Sequence, residues 1–154
     1  MAPPGYQTLL DADIPSVELP DSAGKVRVIA GEYQGHRGPA RTFTQMDVWD
    51  VRLKQNHATS FVVPPGRTLM LIVLRGVVQV NGAQLAREAQ MVGFDREGGE
   101  ISLGANSDTT LLVLSGAPID EPVVGYGPFV MNSADEIRQA ITDFNSGRFG
   151  QMNS

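Results

Sequence analysis

The stretch LMLIVLRGVVQV, residues 69–80, followed directly by Asn81 and Gly82, decides the fold of this chain. Its first six residues are apolar on both alternation phases, which predicts a strand that is buried on two sides. From Arg75 onward, polar and apolar residues alternate as in a strand with one face in water. Asn-Gly is a strong hairpin signal, because both central positions of a type I′ turn require positive φ. We therefore predict a long central strand over 69–80 with a return hairpin.

Further short strands are predicted on both sides of this stretch, at a spacing of roughly ten residues. They are expected at 25–29, 42–53, 60–63, 83–85, 90–94, 100–103 and 109–114. Short strands with turn signals between them are typical of an all-β sandwich or barrel. No amphipathic helical pattern interrupts them, which disfavours a parallel α/β sheet.

One helix is predicted, over about 133–146. Ser133 and Glu136 have the spacing of a capping box, in which each side chain satisfies an amide that the first turn leaves unpaired. Gly147 stands where the helix would end in a left-handed conformation. The apolar stripe on this helix, by which it should dock on the barrel, consists of Ile137, Ala140, Ile141 and Phe144.

Composition restricts the class of protein. The chain has 154 residues, no cysteine and a net charge of -5, which predicts a single domain without disulfides or thiolate metal ligands. The acidic balance disfavours direct contact with nucleic acid. No apolar run approaches the length of a membrane span, and the start lacks the features of an export signal. We expect a soluble, cytoplasmic protein with no membrane partner, on which neither charge sign clusters.

Residues 1–20 contain four of the ten prolines and few apolar pairs. This composition predicts an extended arm that lies on another part of the protein. The expected organisation is therefore an arm over 1–20 and one folded domain over 21–154.

Several stretches make the chain similar to the C-terminal half of pirins. The most specific is EPVVGYGPFVMN at 121–132, which is followed by the predicted helix and by GRFG at 147–150. IPSVELP at 14–20, VRVIAG at 26–31 and RGPARTF at 37–43 extend the resemblance over nearly the whole chain. The fold it implies is a cupin-type antiparallel β-barrel, or jelly roll, with one C-terminal α-helix.

The resemblance also implies a bicupin ancestry, in which two barrels share one chain and a single iron-type metal lies in the N-terminal barrel. Some bacterial members are described as quercetin dioxygenases, and the animal protein as a nuclear co-regulator. The metal barrel holds its ion with three histidines and a glutamate, a ligand set that suits non-haem iron. Residues 1–20 resemble the linker between the two barrels.

The iron site does not carry over to this sequence. Counting back from Gly76, the two paired histidine positions fall near Val62 and Pro64, and residues 90–103 contain no histidine. We therefore expect no catalytic residue, no metal ligand and no cofactor, since the iron belongs to the barrel that this sequence lacks. The chain is expected to be a separate C-terminal barrel, natural or split from its partner half.

The candidates for lining a ligand pocket are Gln45, Asp47 and Trp49, which share one face of the predicted strand 42–53; Gln45 and Asp47 are its polar members. The alternative is that Asp47 caps a turn or pairs with an arginine at the rim. The two histidines, His36 and His57, lie in predicted loops. They are either exposed loop residues or a metal pair that would need a third ligand.

The sequence is compatible with three functions. The first is a metal-free binding or assembly module, as a homodimer, as the partner of a separate metal-bearing cupin, or as the binder of a small apolar ligand. The second is a pirin-type quercetin 2,3-dioxygenase. The third, implied only by the animal relative, is a transcriptional co-regulator.

Overall fold

The computed structural model describes residues 5–150, and residues 1–4 of the predicted arm lie outside that range. The chain forms two compact units that divide between Pro118 and Ile119. The strands of the first unit are β1 (Ser16–Glu18), β2 (Gly24–Ala30), β3 (Glu32–Tyr33), β4 (His36–Arg37), β5 (Met46–Leu53), β6 (Ala58–Val63), β7 (Thr68–Arg75), β8 (Val77–Val80), β9 (Gln84–Arg87), β10 (Met91–Phe94), β11 (Gly99–Ala105) and β12 (Thr109–Gly116). The second unit contains β13 (Val124–Tyr126), β14 (Phe129–Met131) and α1 (Ala134–Asn145).

Two antiparallel sheets build the first unit. The larger sheet has the strand order β1-β2-β5-β12-β7-β10, and the smaller sheet has the order β6-β11-β8-β9. The inward faces of both sheets contribute to one apolar core, in which Val51, Leu71, Leu103 and Leu111 are fully buried. The all-β prediction is confirmed, and the strands alternate between this core and the outside.

The predicted central strand over 69–80 is wrong as a single element. The chain breaks at Gly76, so that β7 belongs to the larger sheet and β8 to the smaller one. Gly76 has a φ of 88°, and a Cβ there would lie 2.4 Å from the main-chain oxygen of Asp108. The glycine therefore lets the chain change sheets. The hairpin prediction holds, because Asn81 and Gly82 both have positive φ between β8 and β9.

The strand predicted over 42–53 begins four residues later, at Met46. Its partner β12 ends at Gly116, which pairs with Met46, and no strand continues beyond that point to pair with 42–45. Phe43 is 87% exposed instead of facing the core. Trp49, Val51 and Leu53 alternate along β5 and are buried, and this alternation does not continue into 42–45.

Part of the predicted arm joins the larger sheet. Residues 16–18 form β1, which pairs with β2, and Leu19 is buried. Asp11 forms an ion pair with Arg27 of β2. The described portion of the arm therefore lies along the edge of the sheet.

The helix and the Ser133 side of its cap form as predicted, whereas Glu136 binds the amide of Asn132, which precedes the cap residue, instead of an amide of the first turn. The Ser133 hydroxyl accepts a hydrogen bond from the amide of Glu136 at 3.2 Å, and the Glu136 carboxylate accepts one from the amide of Asn132 at 3.0 Å. Gly147 ends the helix with a φ of 75°. Ile137 and Ala140 are buried, and α1 contacts the β13–β14 hairpin of its own unit. No helix of the described residues has the length and apolarity required to cross a membrane.

Candidate functional site

The interior between the two sheets is filled by side chains. It includes an aromatic cluster of Trp49, Phe61 and the half-buried Tyr33. The ring centroids of Tyr33 and Trp49 are 5.1 Å apart, those of Tyr33 and Phe61 5.7 Å, and those of Trp49 and Phe61 5.6 Å. Such edge-on contacts add stability beyond the area they bury. Burial raises the pKa of the Tyr33 phenol above its ordinary value.

The positions onto which the family's paired histidines would map do not form a metal site. Val62 is 77% exposed and points away from the core, and Pro64 is also exposed. Their inward neighbours Phe61 and Val63 are buried, and Phe61 pairs across the ladder with buried Ile101. These side chains carry no donor atom, so the residues present do not fit an iron ion.

Within residues 5–150, no group of three or more His, Asp or Glu side chains is placed to hold a metal ion. His36 is exposed, and its Nδ1 lies 3.2 Å from the main-chain oxygen of Gln34. His57 is half-buried, with its Nδ1 2.9 Å from the main-chain oxygen of Gln55. Each histidine is thus held by its own turn.

The three predicted pocket residues separate in the structure. Gln45 and Asp47 line an open cavity of about 500 Å³ together with Arg37 and Arg67, whereas Trp49 is buried in the aromatic cluster. The carboxylate of Asp47 forms an ion pair with Arg67 at the edge of the core. This contact agrees with the alternative interpretation of Asp47 as a residue that pairs with an arginine at the rim.

The Asp47 carboxylate can occupy this position because residue 31 is a glycine. Asp47 Oδ1 accepts a hydrogen bond from the amide of Glu32 at 3.2 Å. A Cβ at residue 31 would lie 2.0 Å from Asp47 Oδ1, and Gly31 has a φ of 76°. Asp47 therefore connects β5 to the β3 turn and to Arg67, which is a structural role.

Replacing Asp47 by alanine is expected to lower the free energy of unfolding by about 1–3 kcal/mol, because Arg67 and the Glu32 amide both lose a charged partner. Urea unfolding followed by the fluorescence of Trp49, the only tryptophan, measures this. Asp95→Ala, which removes an exposed carboxylate, is the control. Equal stability of both variants would contradict the structural role of Asp47.

The outer face of the larger sheet carries two neighbouring rows of apolar residues. The sequence did not predict this apolar surface. In one row Leu112 of β12 pairs with Ile72 of β7, which pairs with Met91 of β10; in the other, Val48 pairs with Leu114, which pairs with Met70. Met91 is 63% exposed and the other five are half-buried. We call these six residues the outer apolar patch. The outer face of an antiparallel sheet is more commonly polar.

The smaller sheet provides the contrast. Ser60 of β6 pairs with Ser102 of β11, and Gly104 of β11 pairs with Gln79 of β8. Both serines are exposed. Val62 stands next to these polar positions as an isolated apolar side chain. Of the two sheets, the larger one therefore carries a contiguous apolar patch on its outer face, beside the ion pair of Arg27 and Asp50.

An antiparallel jelly roll of two sheets with a filled apolar interior defines the chain as a cupin domain. Residues 48–150 match the pirin C-terminal cupin domain, and the chain belongs to this family. The pirin resemblance drawn from the sequence is thereby confirmed.

Individual relatives agree with this assignment. A Pseudomonas aeruginosa protein with the provisional name quercetin 2,3-dioxygenase is 56% identical over 97% of this chain and 52% of its own length. Mouse pirin is 35% identical over 97% of the chain and 52% of its own length. The crystal structure of a quercetin 2,3-dioxygenase from Acinetobacter baumannii is 44% identical, with a TM-score of 0.91 over 99% of this chain and 53% of that one. The chain thus spans about half the length of these relatives.

Proposed function

We propose that this chain is a metal-free cupin module that acts by binding and assembly, packing its outer apolar patch against a second cupin domain. The occupant we expect first is a second copy of the chain, which gives a homodimer. A separate metal-bearing cupin is the other partner that the pirin resemblance suggests. The proposal rests on the outer apolar patch of the larger sheet, which includes Met70, Ile72 and Leu114.

Two further observations support a role in assembly over a catalytic role. The positions onto which the family's paired histidines map are Val62 and Pro64, which carry no donor atom, and the inward-facing side chains beside them, including Phe61 and Ile101, are apolar. In addition, about half the length of each relative lies outside the region that this chain matches. A surface that packs against a neighbouring domain in a longer protein stays apolar when that neighbour is a separate chain.

Light scattering coupled to size-exclusion chromatography is expected to give about twice the chain mass of 16.5 kDa. Met70→Glu and Met91→Glu should each shift the population to monomer, because an unpaired carboxylate within an apolar interface is costly to desolvate. The matched control is Val62→Glu on the outer face of the smaller sheet, which should remain a dimer.

Circular dichroism of the three variants must show that they remain folded. A strict monomer of the wild-type chain at micromolar concentration, which also forms no complex with a separate metal-bearing cupin, would contradict the proposal. Dissociation of Val62→Glu to the same extent as Met70→Glu would contradict the choice of face.

The printed names of the relatives favour one second candidate, a quercetin 2,3-dioxygenase. That activity requires a metal, and the residues described above do not fit one. Metal analysis after reconstitution with iron, manganese, nickel or copper separates the two candidates. Less than about 0.1 equivalent of bound metal, with no turnover of quercetin, would exclude the dioxygenase for this chain.

A further inference from the structure

The outer face of the larger sheet also concentrates positive charge, in the row next to the outer apolar patch. A cavity of about 470 Å³ is lined by four cationic residues, Lys25, Arg52, Lys54 and Arg75, and by two acids, Glu18 and Asp108. The chain has 12 Lys and Arg residues against 17 Asp and Glu residues, so this local excess of cations opposes the overall balance. Charges of one sign are dispersed along the sequence, but the fold brings four cationic residues together around this cavity.

Strand register explains how distant residues meet here. Lys25 of β2 pairs with Arg52 of β5, Arg52 pairs with Thr110 of β12, and Thr110 pairs with Arg75 of β7. Three cations therefore stand in one row across four neighbouring strands. Like charges directly opposite each other in a sheet are destabilising, and Lys25 faces Arg52 in this way.

Carboxylates of the protein compensate this row only in part. Asp50 lies 3.1 Å from Arg52, but the same oxygen lies 2.8 Å from Arg27. Asp108 accepts a hydrogen bond from the amide of Gln55 at 2.9 Å. Glu18 of β1 stands opposite Lys25 in the strand register. No ion pair of the described residues involves Lys25, Lys54 or Arg75, so the cations around the cavity outnumber the carboxylates that can compensate them.

The base of the cavity is suited to a compact ligand. It consists of backbone and small side chains, with Gly24 and Thr109 buried and Thr110 half-buried. Thr110 can donate a hydrogen bond, and the two arginines can each offer two parallel N–H groups to an oxyanion. The cavity volume falls in the range that small-molecule sites occupy.

We propose that this cavity binds a small polyanion with phosphoryl groups, such as a diphosphate or a phosphate ester. Lys25, Arg52 and Arg75 hold the phosphoryl oxygens, Lys54 adds a fourth positive charge, and Thr110 donates from the base. Planar guanidinium groups match phosphate oxygens in pairs, and separated cations favour a ligand with more than one negative charge. This site lies on the same face of the larger sheet as the outer apolar patch, in the next row of residues, because Thr110 and Leu112 are two residues apart on β12.

The test uses inorganic pyrophosphate as the probe, titrated into isotope-labelled full-length chain and followed by amide chemical shifts. Saturable shifts are expected at Lys25, Arg52, Thr110 and Arg75. The double variant Lys25→Gln/Arg75→Gln should bind about tenfold more weakly or worse, which corresponds to a loss of two charge-assisted contacts. The matched control, Arg87→Gln/Arg96→Gln, removes two exposed arginines outside the cavity and should bind like the wild type.

Other results would overturn the proposal. These are the absence of saturable shifts at millimolar pyrophosphate, equal weakening in both double variants, or binding of a glutamate-rich peptide where pyrophosphate fails, which would indicate a protein partner. Lys25 faces both Glu18 and Arg52, so thermal unfolding of the double variants is measured alongside binding. A folded Lys25→Gln/Arg75→Gln variant with weakened binding separates loss of the site from loss of structure. The monomeric Met70→Glu variant should bind pyrophosphate normally, which separates this site from assembly.

Discussion

Replacing Phe61 by alanine is expected to lower the free energy of unfolding by about 3–5 kcal/mol. The ring is 2% exposed and contacts both Trp49 and Tyr33, so its removal leaves a cavity that rigid neighbouring rings cannot fill. Domains of this size are commonly stable by only about 5–15 kcal/mol, and the variant would lose a large share of that. Urea unfolding followed by Trp49 fluorescence measures the change.

The adjacent residue provides the control. Val62 follows Phe61 on β6, points outward and is 77% exposed, so Val62→Ala should change the free energy of unfolding by no more than about 0.5 kcal/mol. Losses of similar size at both positions would mean that the assignment of the inward and outward faces of β6 is incorrect.

The second large effect is expected at Gly24, where β2 begins beside β5. Gly24 has a φ of 146°, and a Cβ would lie 1.9 Å from the main-chain oxygen of Arg52. Gly24→Ala should destabilise the protein by roughly 3 kcal/mol, because backbone strain is added to a collision with a main-chain atom. Differential scanning calorimetry compares the variant with the wild type.

Gly82→Ala separates the two causes. Gly82 also has a positive φ, of 66°, but nothing lies within 4 Å of a Cβ placed there. It should therefore show the conformational cost alone, about 1–2 kcal/mol. If Gly82→Ala were as damaging as Gly24→Ala, the close approach of β5 would not be the reason for glycine at residue 24.

Much of the fold could be predicted from the sequence, because periodicity and turn chemistry are local signals. The Asn81-Gly82 hairpin, the strand around Trp49 and the cap at Ser133 all follow from neighbouring residues. Gly76 shows the limit of such signals. Whether a glycine within an apolar run ends a strand depends on what approaches it, and here that is Asp108, more than 30 residues away.

Predicting the candidate sites would have required knowledge of contacts between distant residues to an even greater extent than predicting the fold. Strand phase grouped Gln45, Asp47 and Trp49, but the phase applies only where a partner strand exists. β12 ends at Gly116, opposite Met46, so the phase does not extend to Gln45. The cationic row joins Lys25, Arg52 and Arg75 through pairings between four strands. No separation along the chain indicates that these residues are neighbours. Sequence reasoning identified the positions that lack metal ligands, but it could not locate the surfaces that distinguish this domain.

The position of β12 has a consequence for biosynthesis. It lies between β5 and β7 in the middle of the larger sheet, yet it is the last strand of its unit to leave the ribosome. Until Thr109 and the residues after it emerge, β1-β2-β5 and β7-β10 can exist only as separate fragments with open apolar edges. Joining strands so far apart along the chain is slow, and open edges of this kind invite aggregation. A nascent chain that stalls before β12 is therefore the form of this protein most in need of a chaperone.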